Sequence, residues 1–137
     1  MRDFWREAYN AAQLSPDTNT QVGACLAHRH GVDYQNGWNY ELIAIPGKLG
    51  FVHAEMDVIT EAYFSTVDAT LYCTWACCTN CAKLIVLSKI GKVVTAEYDY
   101  PKWANEVRLG HEILKHGGVE IEIIKPFGKL LIGGEMR

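Results

Sequence analysis

Four side chains between residues 53 and 81 have the types and spacing of a metal site that can do chemistry. His53 comes first, Glu55 follows two residues later, and Cys78 and Cys81 form a C-x-x-C pair downstream. One imidazole and two thiolates can hold a divalent zinc ion and leave its fourth position open, which is typical of catalytic rather than structural zinc. A glutamate that stays off the metal can move protons there. The sequence therefore predicts His53, Cys78 and Cys81 as zinc ligands and Glu55 as the catalytic residue.

The signal depends on the combination of these motifs. A lone H-x-E is common by chance, and a lone C-x-x-C is more often a structural zinc or redox site. A closed zinc site could recruit Cys73, and Cys77 could replace Cys78 because Cys77 and Cys81 are four residues apart. We favour Cys78, because H-x-E followed by C-x-x-C is the pattern of zinc deaminases acting on cytosine or adenine.

The ligands have to be brought together by the elements that carry them. Hydrophobic spacing predicts one helix from near His53 to about Phe64 and another from Cys78 to Gly91, with a strand over Ala69–Thr74 between them. Helix amino ends carry partial positive charge and free N–H groups, which stabilise thiolates. Residues predicted to face inward are Met56, Ile59, Ala62 and Tyr63 on the first helix and Leu84, Ile85 and Leu87 on the second.

The rest of the chain alternates between helix and strand. A helix is predicted at 2–14, a hairpin at 22–29 and 32–38, a mostly loop segment at 39–51, a strand at 92–98, a helix at 103–116 and a strand at 119–125. Leu42–Ile45 is expected to be partly buried, and the Gly-rich tail 126–137 loosely ordered. Helical crossovers place neighbouring strands parallel. These elements predict an α/β protein, a three-layer α/β/α sandwich with a five-stranded mixed sheet.

Composition limits the class of protein. The chain has 137 residues, which favours one domain over 1–137. Five cysteines, three of them within five residues, indicate metal rather than disulfides. No signal peptide and no membrane span are expected, so a cytoplasmic setting without a membrane partner is predicted. With 13 basic and 16 acidic residues the net charge is -3, which disfavours a nucleic acid partner.

Several segments resemble the cytidine deaminase-like superfamily, and within it the deoxycytidylate (dCMP) deaminases. They are VGA at 22–24, GWN at 37–39, HAE at 53–55, ATLYCT at 69–74, CTNCAKLIV at 78–86 and EYD at 97–99. The resemblance implies the deaminase fold, a zinc cofactor, a small-molecule nucleotide substrate and a homo-oligomer. It also implies that Asn39 holds a sugar hydroxyl, that the backbone of Ala54 meets the base, and that Tyr98 lies near the pocket.

Three positions differ from the usual pattern of that family. Cys77 stands where a proline commonly precedes the first ligand cysteine. Asn39 is followed by Tyr40 and Glu41 instead of glycine and proline, and Asp57 replaces a common asparagine. An additional acid near the pocket can disfavour a phosphate or change which base substituent is accepted.

The function expected from the resemblance is hydrolysis of dCMP to dUMP and ammonia. The alternatives are a deaminase of another nucleobase or nucleotide (modified cytosine, guanine or adenine) and a tRNA adenosine deaminase, although RNA binding requires a basic surface. A zinc-stabilised interaction module is the non-enzymatic alternative, in which Glu55 has no purpose. Lys48, Arg29 and Lys83 are candidates for a phosphate contact, and each is first interpreted as a solvated surface charge.

Overall fold

A computed structural model describes residues 2–96 and 102–137 of the chain. Helices in these residues are α1 (Phe4–Ala12), α2 (Ala54–Glu61), α3 (Thr79–Leu87) and α4 (Ala104–His116). Strands are β1 (Gly23–Ala27), β2 (Tyr34–Trp38), β3 (Tyr40–Glu41), β4 (Phe51–Val52), β5 (Thr70–Cys73), β6 (Lys92–Ala96), β7 (Glu120–Ile124), β8 (Leu131–Ile132) and β9 (Glu135–Met136). Among the described helices, none is both long enough and apolar enough to cross a bilayer.

The main sheet has five strands in the order β2-β1-β5-β6-β7. β1 pairs antiparallel with both β2 and β5, whereas β5, β6 and β7 run parallel. The parallel pairs are connected through α3 and α4, because a parallel connection needs a crossover that a helix can supply. The predicted hairpin and the predicted five-stranded mixed sheet are therefore confirmed.

Helices cover the two faces of this sheet differently. Strand residues alternate between faces, so Leu26 and Leu71 point into a core that they share with α2, α3 and α4. Tyr34 and Tyr72 point the other way, where each ring lies 5.7 Å from the ring of Phe4 on α1. The three-layer α/β/α arrangement is confirmed, with the larger core on the side of α2 and α3.

The segment between β2 and α2 differs from its prediction. It forms a second, two-stranded sheet in which Tyr40 pairs with Val52 and Glu41 with Phe51. We refer to residues 40–52 as the β3–β4 hairpin. Leu42 and Ile43 are 62% and 56% exposed, so the prediction that Leu42–Ile45 is partly buried was wrong. Within residues 2–96 and 102–137, β3 and β4 pair only with each other, so the apolar residues of the loop between them have no sheet face to cover.

Some of the helix faces were also predicted wrongly. α2 ends at Glu61 because Ala62 has extended backbone angles, and Tyr63 beyond it is 71% exposed. Met56 is 38% exposed, since the buried side of α2 carries Ala54, Glu55 and Val58. Leu87 is 78% exposed because it lies two residues, about 200° of helix rotation, from buried Ile85.

The carboxyl-terminal residues are ordered, in contrast to the prediction of a loose tail. β8 and β9 form a hairpin, and Leu130 and Ile132 are almost fully buried against Tyr9 and Ala12 of α1. The N–H of Gln21 donates to the carbonyl of Leu131 at 2.7 Å. Apolar residues spaced two apart in this short hairpin are enough to fix it against α1.

Candidate metal and catalytic site

The predicted zinc ligands lie at the amino ends of two helices. His53 is the N-cap residue of α2, and Cys78 is the N-cap residue of α3. Cys81 is in the first turn of α3, and its N–H donates to Sγ of Cys78 at 3.4 Å. The α3 start follows the carboxyl end of β5, which is the end of a parallel strand where α/β proteins commonly place sites. Both helices therefore begin at the same end of the sheet, next to the carboxyl end of the central strand β5.

The side chains of His53, Cys78 and Cys81 meet at this end of β5. Their ligand atoms all lie within 4.8 Å of one another. Nδ1 of His53 is 3.2 Å from Sγ of Cys81 and 3.5 Å from Sγ of Cys78. A tetrahedral zinc ion with Zn–N of about 2.0 Å and Zn–S of about 2.3 Å separates nitrogen and sulfur ligands by about 3.5 Å. The donor types and their spacing therefore fit zinc.

The three residues differ in how much of each is open to solvent. Cys81 is buried, Cys78 is half-buried and His53 is exposed. A site with this gradient is closed on the protein side and accessible on the imidazole side. Substrate and water can therefore approach the cluster from the direction of His53.

Hydrogen bonds prepare one of the thiols as a metal ligand. The thiol of Cys81 donates a hydrogen bond to Cys78, and His53 makes a second one. These hydrogen bonds outweigh the effect of burial and lower the pKa of Cys78 to about 4. The same shared proton, together with burial, raises the pKa of Cys81. Cys78 is consequently a thiolate at neutral pH, and thiolates are the form of cysteine that binds metal.

Glu55 lies beside this cluster without belonging to it. It is 4% exposed, and burial raises the pKa of its carboxyl group, although the nearby His53 charge opposes the shift. The thiol of Cys73 on β5 donates to the Glu55 carboxylate. Among the described residues, the cluster of possible metal ligands contains His53, Cys78 and Cys81 but not Glu55. A buried carboxyl group off the metal has the environment expected of a proton carrier.

The first turn of α2 is pressed closely against β2. A Cβ at Gly37 would collide with Oδ2 of Asp57 and would lie 2.8 Å from Cγ1 of Val58. Asp57 accepts hydrogen bonds from the Tyr40 hydroxyl at 3.3 Å and from the N–H of Trp38. The glycine of the GWN segment thus has a physical reason, and the unusual Asp57 connects α2 to the base of the β3–β4 hairpin.

The predicted sugar-binding residue, Asn39, is held in a network of its own. Its Oδ1 accepts from the Ser15 hydroxyl at 2.6 Å and from the N–H of Val22 at 2.9 Å. Its Nδ2 donates to the carbonyl of Thr20 at 2.9 Å. Asn39 therefore fixes residues 15–21, which we call the 15–21 loop, to the end of β2. Within the part of the chain that the structure describes, Nδ2 donates to this one acceptor, and sugar binding stays a prediction.

Other predicted residues have different outcomes. Ala54 is fully buried as the first residue of α2, which places its backbone beside His53. Tyr98 lies outside the described residues. Cys77 is buried, and Cys73 lies on β5; among the described residues neither belongs to the ligand cluster. The choice of Cys78 over Cys77 agrees with this geometry.

Two residues of α4 support the segment from Thr74 to Cys81, which we call the ligand turn, and neither was found from the sequence. Oε1 of Glu106 accepts from the N–H of Thr79 at 3.0 Å and from its hydroxyl at 2.8 Å. A Cβ at Gly110 would lie 2.7 Å from the carbonyl oxygen of Cys77. A glycine inside a helix costs about 1 kcal/mol relative to alanine, so Gly110 was a usable signal of close packing. Glu106 gave no such signal, because its partner is 27 residues away.

Comparison with known proteins agrees with this site. A family model described as "Cytidine and deoxycytidylate deaminase zinc-binding region" matches residues 1–97. That span contains His53, Glu55, Cys78 and Cys81. The family's description confirms the predicted zinc cofactor.

Two curated relatives have related names. A "Probable deoxycytidylate deaminase" from Caenorhabditis elegans is 29% identical over 109 residues, covering 69% of this chain and 55% of that protein. A "Deoxycytidylate deaminase" from Mus musculus is 27% identical over 147 residues, covering 94% of this chain and 82% of that protein. The chain therefore spans about half the length of the first of these relatives.

Solved structures show the same fold. A dCMP deaminase from the cyanophage S-TIM5, crystallised with dCMP and dUMP, has a TM-score of 0.72, 21% identity and coverage of 88% of this chain and 93% of that one. A structure from a study of tRNA:A34 deaminases has a TM-score of 0.59, 22% identity and coverage of 88% and 92%. At these identities the likeness concerns the fold alone.

Proposed function

The chain belongs to the cytidine and deoxycytidylate deaminase family, and from this premise we propose that it deaminates a free pyrimidine deoxynucleotide. The proposed reaction is dCMP plus water to dUMP plus ammonia. The observation that carries the proposal is the convergence of His53, Cys78 and Cys81 beside a buried carboxylate, Glu55, that is not a ligand. A purely structural zinc site would need no such carboxylate.

Each residue of the site has a role in this proposal. His53, Cys78 and Cys81 hold the zinc ion, which when bound supplies the Lewis acidity that makes water a nucleophile near neutral pH. Glu55 carries one proton of the attacking water to the ring nitrogen, and then carries the second, from the hydroxyl group now bonded to the ring carbon, to the amine, which leaves as ammonia. Burial favours the protonated form of Glu55, so the carboxyl group can alternate between its two states. The Cys73 thiol donates a hydrogen bond to the ionised form of the Glu55 carboxyl group.

Substrate contacts in the proposal follow from position. The backbone of Ala54 meets the base, because it begins α2 between His53 and Glu55. The remaining amide hydrogen of Asn39 donates to a sugar hydroxyl. Tyr98 is assigned to the pocket by the resemblance alone, because it lies outside the described residues. The deoxynucleotide itself is supported by the names of the two curated relatives and by the net charge of -3, which is unfavourable for RNA.

An ammonia-release assay on the zinc-loaded protein tests the proposal. The substrates are dCMP, dCTP, 5-methyl-dCMP, cytidine, deoxycytidine, adenine and guanine nucleotides, and a tRNA anticodon stem-loop. The expected result is that dCMP gives the highest kcat/KM. The Glu55→Gln variant, loaded with zinc to the same content, is the control for ammonia from other sources.

The alternatives give different results in the same assay. Release from the RNA alone would favour a tRNA adenosine deaminase, and release from a purine or 5-methyl nucleotide alone would favour that substrate. If the zinc-loaded protein releases no ammonia from any of these substrates, the result would favour the interaction module, which should then unfold when zinc is chelated. Any of these three results would contradict the proposed reaction.

The wider setting of the protein stays predicted. A homo-oligomer, a cytoplasmic location and a single domain over 1–137 are each expected from the sequence or the resemblance. Size-exclusion chromatography with light scattering measures the first of them directly. A monomer at micromolar concentration would contradict it.

A further inference from the structure

The nucleotide proposed above carries a phosphate, and the phosphate contact can be sought among three basic residues. Arg29 lies in the turn after β1, at the end of that strand opposite Gly23. Gly23 is the end that meets Thr74, just after β5, where the ligand turn begins. Arg29 is therefore at the far end of the sheet from the cluster.

Lys83 points away from the cluster as well. It is two residues after Cys81, which corresponds to about 200° of rotation around α3. Its side chain lines a groove between α3 and α4, together with Glu112 and His116. Neither Lys83 nor Arg29 can meet a nucleotide whose base is at His53.

Lys48 is placed differently, because the β3–β4 hairpin connects it to the site. Asn39 immediately precedes β3 and His53 immediately follows β4, so both lie at the base of this hairpin. The ammonium group of Lys48 lies 4.1 Å from the centroid of the Phe51 ring, and Phe51 is two residues before His53. Two extended residues span about 7 Å, so the Phe51 ring that Lys48 contacts is carried by the strand that leads directly into His53.

The same ammonium group contacts the loop that Asn39 holds. Nζ of Lys48 lies 3.3 Å from Oδ2 of Asp17. Asp17 also accepts from the N–H groups of Asn19 at 2.7 Å and Thr20 at 3.0 Å. The hydrogen-bond network therefore runs from Lys48 through the 15–21 loop to Asn39, the residue proposed to hold the sugar.

We infer that Lys48 binds the 5′-phosphate of the nucleotide and makes the enzyme prefer a nucleotide to a nucleoside. The side chain of Lys48 is 68% exposed, so its ammonium group can reach a ligand. Asp17 is 7% exposed and keeps two backbone hydrogen bonds when Lys48 leaves it. The hydrogen bond from Lys48 to Asp17 is long, at 3.3 Å, and open to solvent on the side of the lysine, so a phosphate with several acceptor oxygens can compete for the ammonium group. The inference rests on the proposed function.

The test compares dCMP with deoxycytidine in Lys48→Ala, Lys48→Arg and the unchanged protein. Lys48→Ala should lower kcat/KM for dCMP about 10- to 100-fold, the effect of losing one charge-assisted hydrogen bond, mainly through KM. Its kcat/KM for deoxycytidine should stay within about 2-fold, and Lys48→Arg should recover most of the dCMP activity. Lys115→Ala, an exposed lysine on α4, is the matched control and should change neither value.

Two failures are distinguishable. If the unchanged protein deaminates dCMP and Lys48→Ala has the same KM for it, the inference is wrong and the proposed function stands. If the unchanged protein releases no ammonia from dCMP, the proposed function itself is wrong. An equal loss on dCMP and deoxycytidine would also overturn the inference, because it would indicate a structural role for Lys48.

Discussion

The zinc-ligand turns and the loops on the substrate side of the site are built from different kinds of structure. His53 and Cys78 cap helices that pack on the main sheet, and the core beneath them contains Val58, Ile85 and Leu114. The 15–21 loop is instead held by side-chain hydrogen bonds of Asn39, and the β3–β4 hairpin by the pairing of its own two short strands. Leu49 in the hairpin is 84% exposed. In the proposed function, the packed half therefore carries the chemistry and the exposed half selects the substrate.

Loss of a ligand should give the largest effect. Cys78→Ala removes one of three donors, so the protein should lose zinc and its turnover should fall by on the order of 10³-fold or more. Metal content by mass spectrometry and ammonia release measure the two effects.

The control for this variant is Cys25→Ala, which removes a fully buried cysteine on β1 outside the ligand cluster. It should keep its zinc. Full zinc content in Cys78→Ala would show that the ion is held elsewhere.

A change behind the ligand turn should have a smaller effect. Gly110→Ala places a methyl group against the carbonyl of Cys77, which should cost about 1–3 kcal/mol of unfolding free energy by overpacking. The turn should also be displaced, and zinc should be lost faster to a chelator. Urea unfolding and a chelation time course measure this. Lys115→Ala on the same helix is the control, and equal behaviour of the two variants would show that Gly110 does not support the turn.

On the substrate side, Asn39→Ala should mainly affect binding. It leaves the N–H of Val22 and the carbonyl of Thr20 without their partner, at a cost of about 1–3 kcal/mol. The 15–21 loop should become mobile and KM for dCMP should rise more than kcat falls. Ser15→Ala removes the hydroxyl that donates to Asn39 and accepts from the N–H of Asp17, and it should cost less, about 0.5–1.5 kcal/mol, because Oδ1 of Asn39 keeps the N–H of Val22. A lower kcat with unchanged KM would show that Asn39 acts in the chemical step and not in substrate binding.

The smallest effect is expected in the loop of the hairpin. Leu49→Ala should change unfolding free energy by no more than about 0.5 kcal/mol, because Leu49 is 84% exposed. Ile85→Ala, in the core below the ligand turn, should cost about 2–5 kcal/mol. Thermal or urea unfolding of the two variants gives the comparison. A large loss in Leu49→Ala would indicate that the hairpin loop is covered by another surface in solution.

The same division explains what the sequence could predict. The ligands His53, Cys78 and Cys81 follow from residue types and short spacings, and the alternation of elements predicts the sheet. The environment of Asn39 could not be predicted, since its partners Ser15, Thr20 and Val22 are 17 to 24 residues away.

Exposure of the hairpin loop and order in the tail were also missed. Hydrophobicity alone does not tell whether a neighbouring face exists to bury a residue. Leu42 is left 62% exposed by the residues that the structure describes, whereas Leu130 packs against α1.

The central claim is that Glu55 works beside the zinc ion without holding it. Zinc content and kcat, measured together on Glu55→Gln and the unchanged protein, test this most directly. We expect one zinc ion per chain in both and a fall in kcat of about 10²- to 10⁴-fold in the variant, the usual contribution of a general acid and base. Near-normal turnover in Glu55→Gln, or loss of its zinc, would contradict the account.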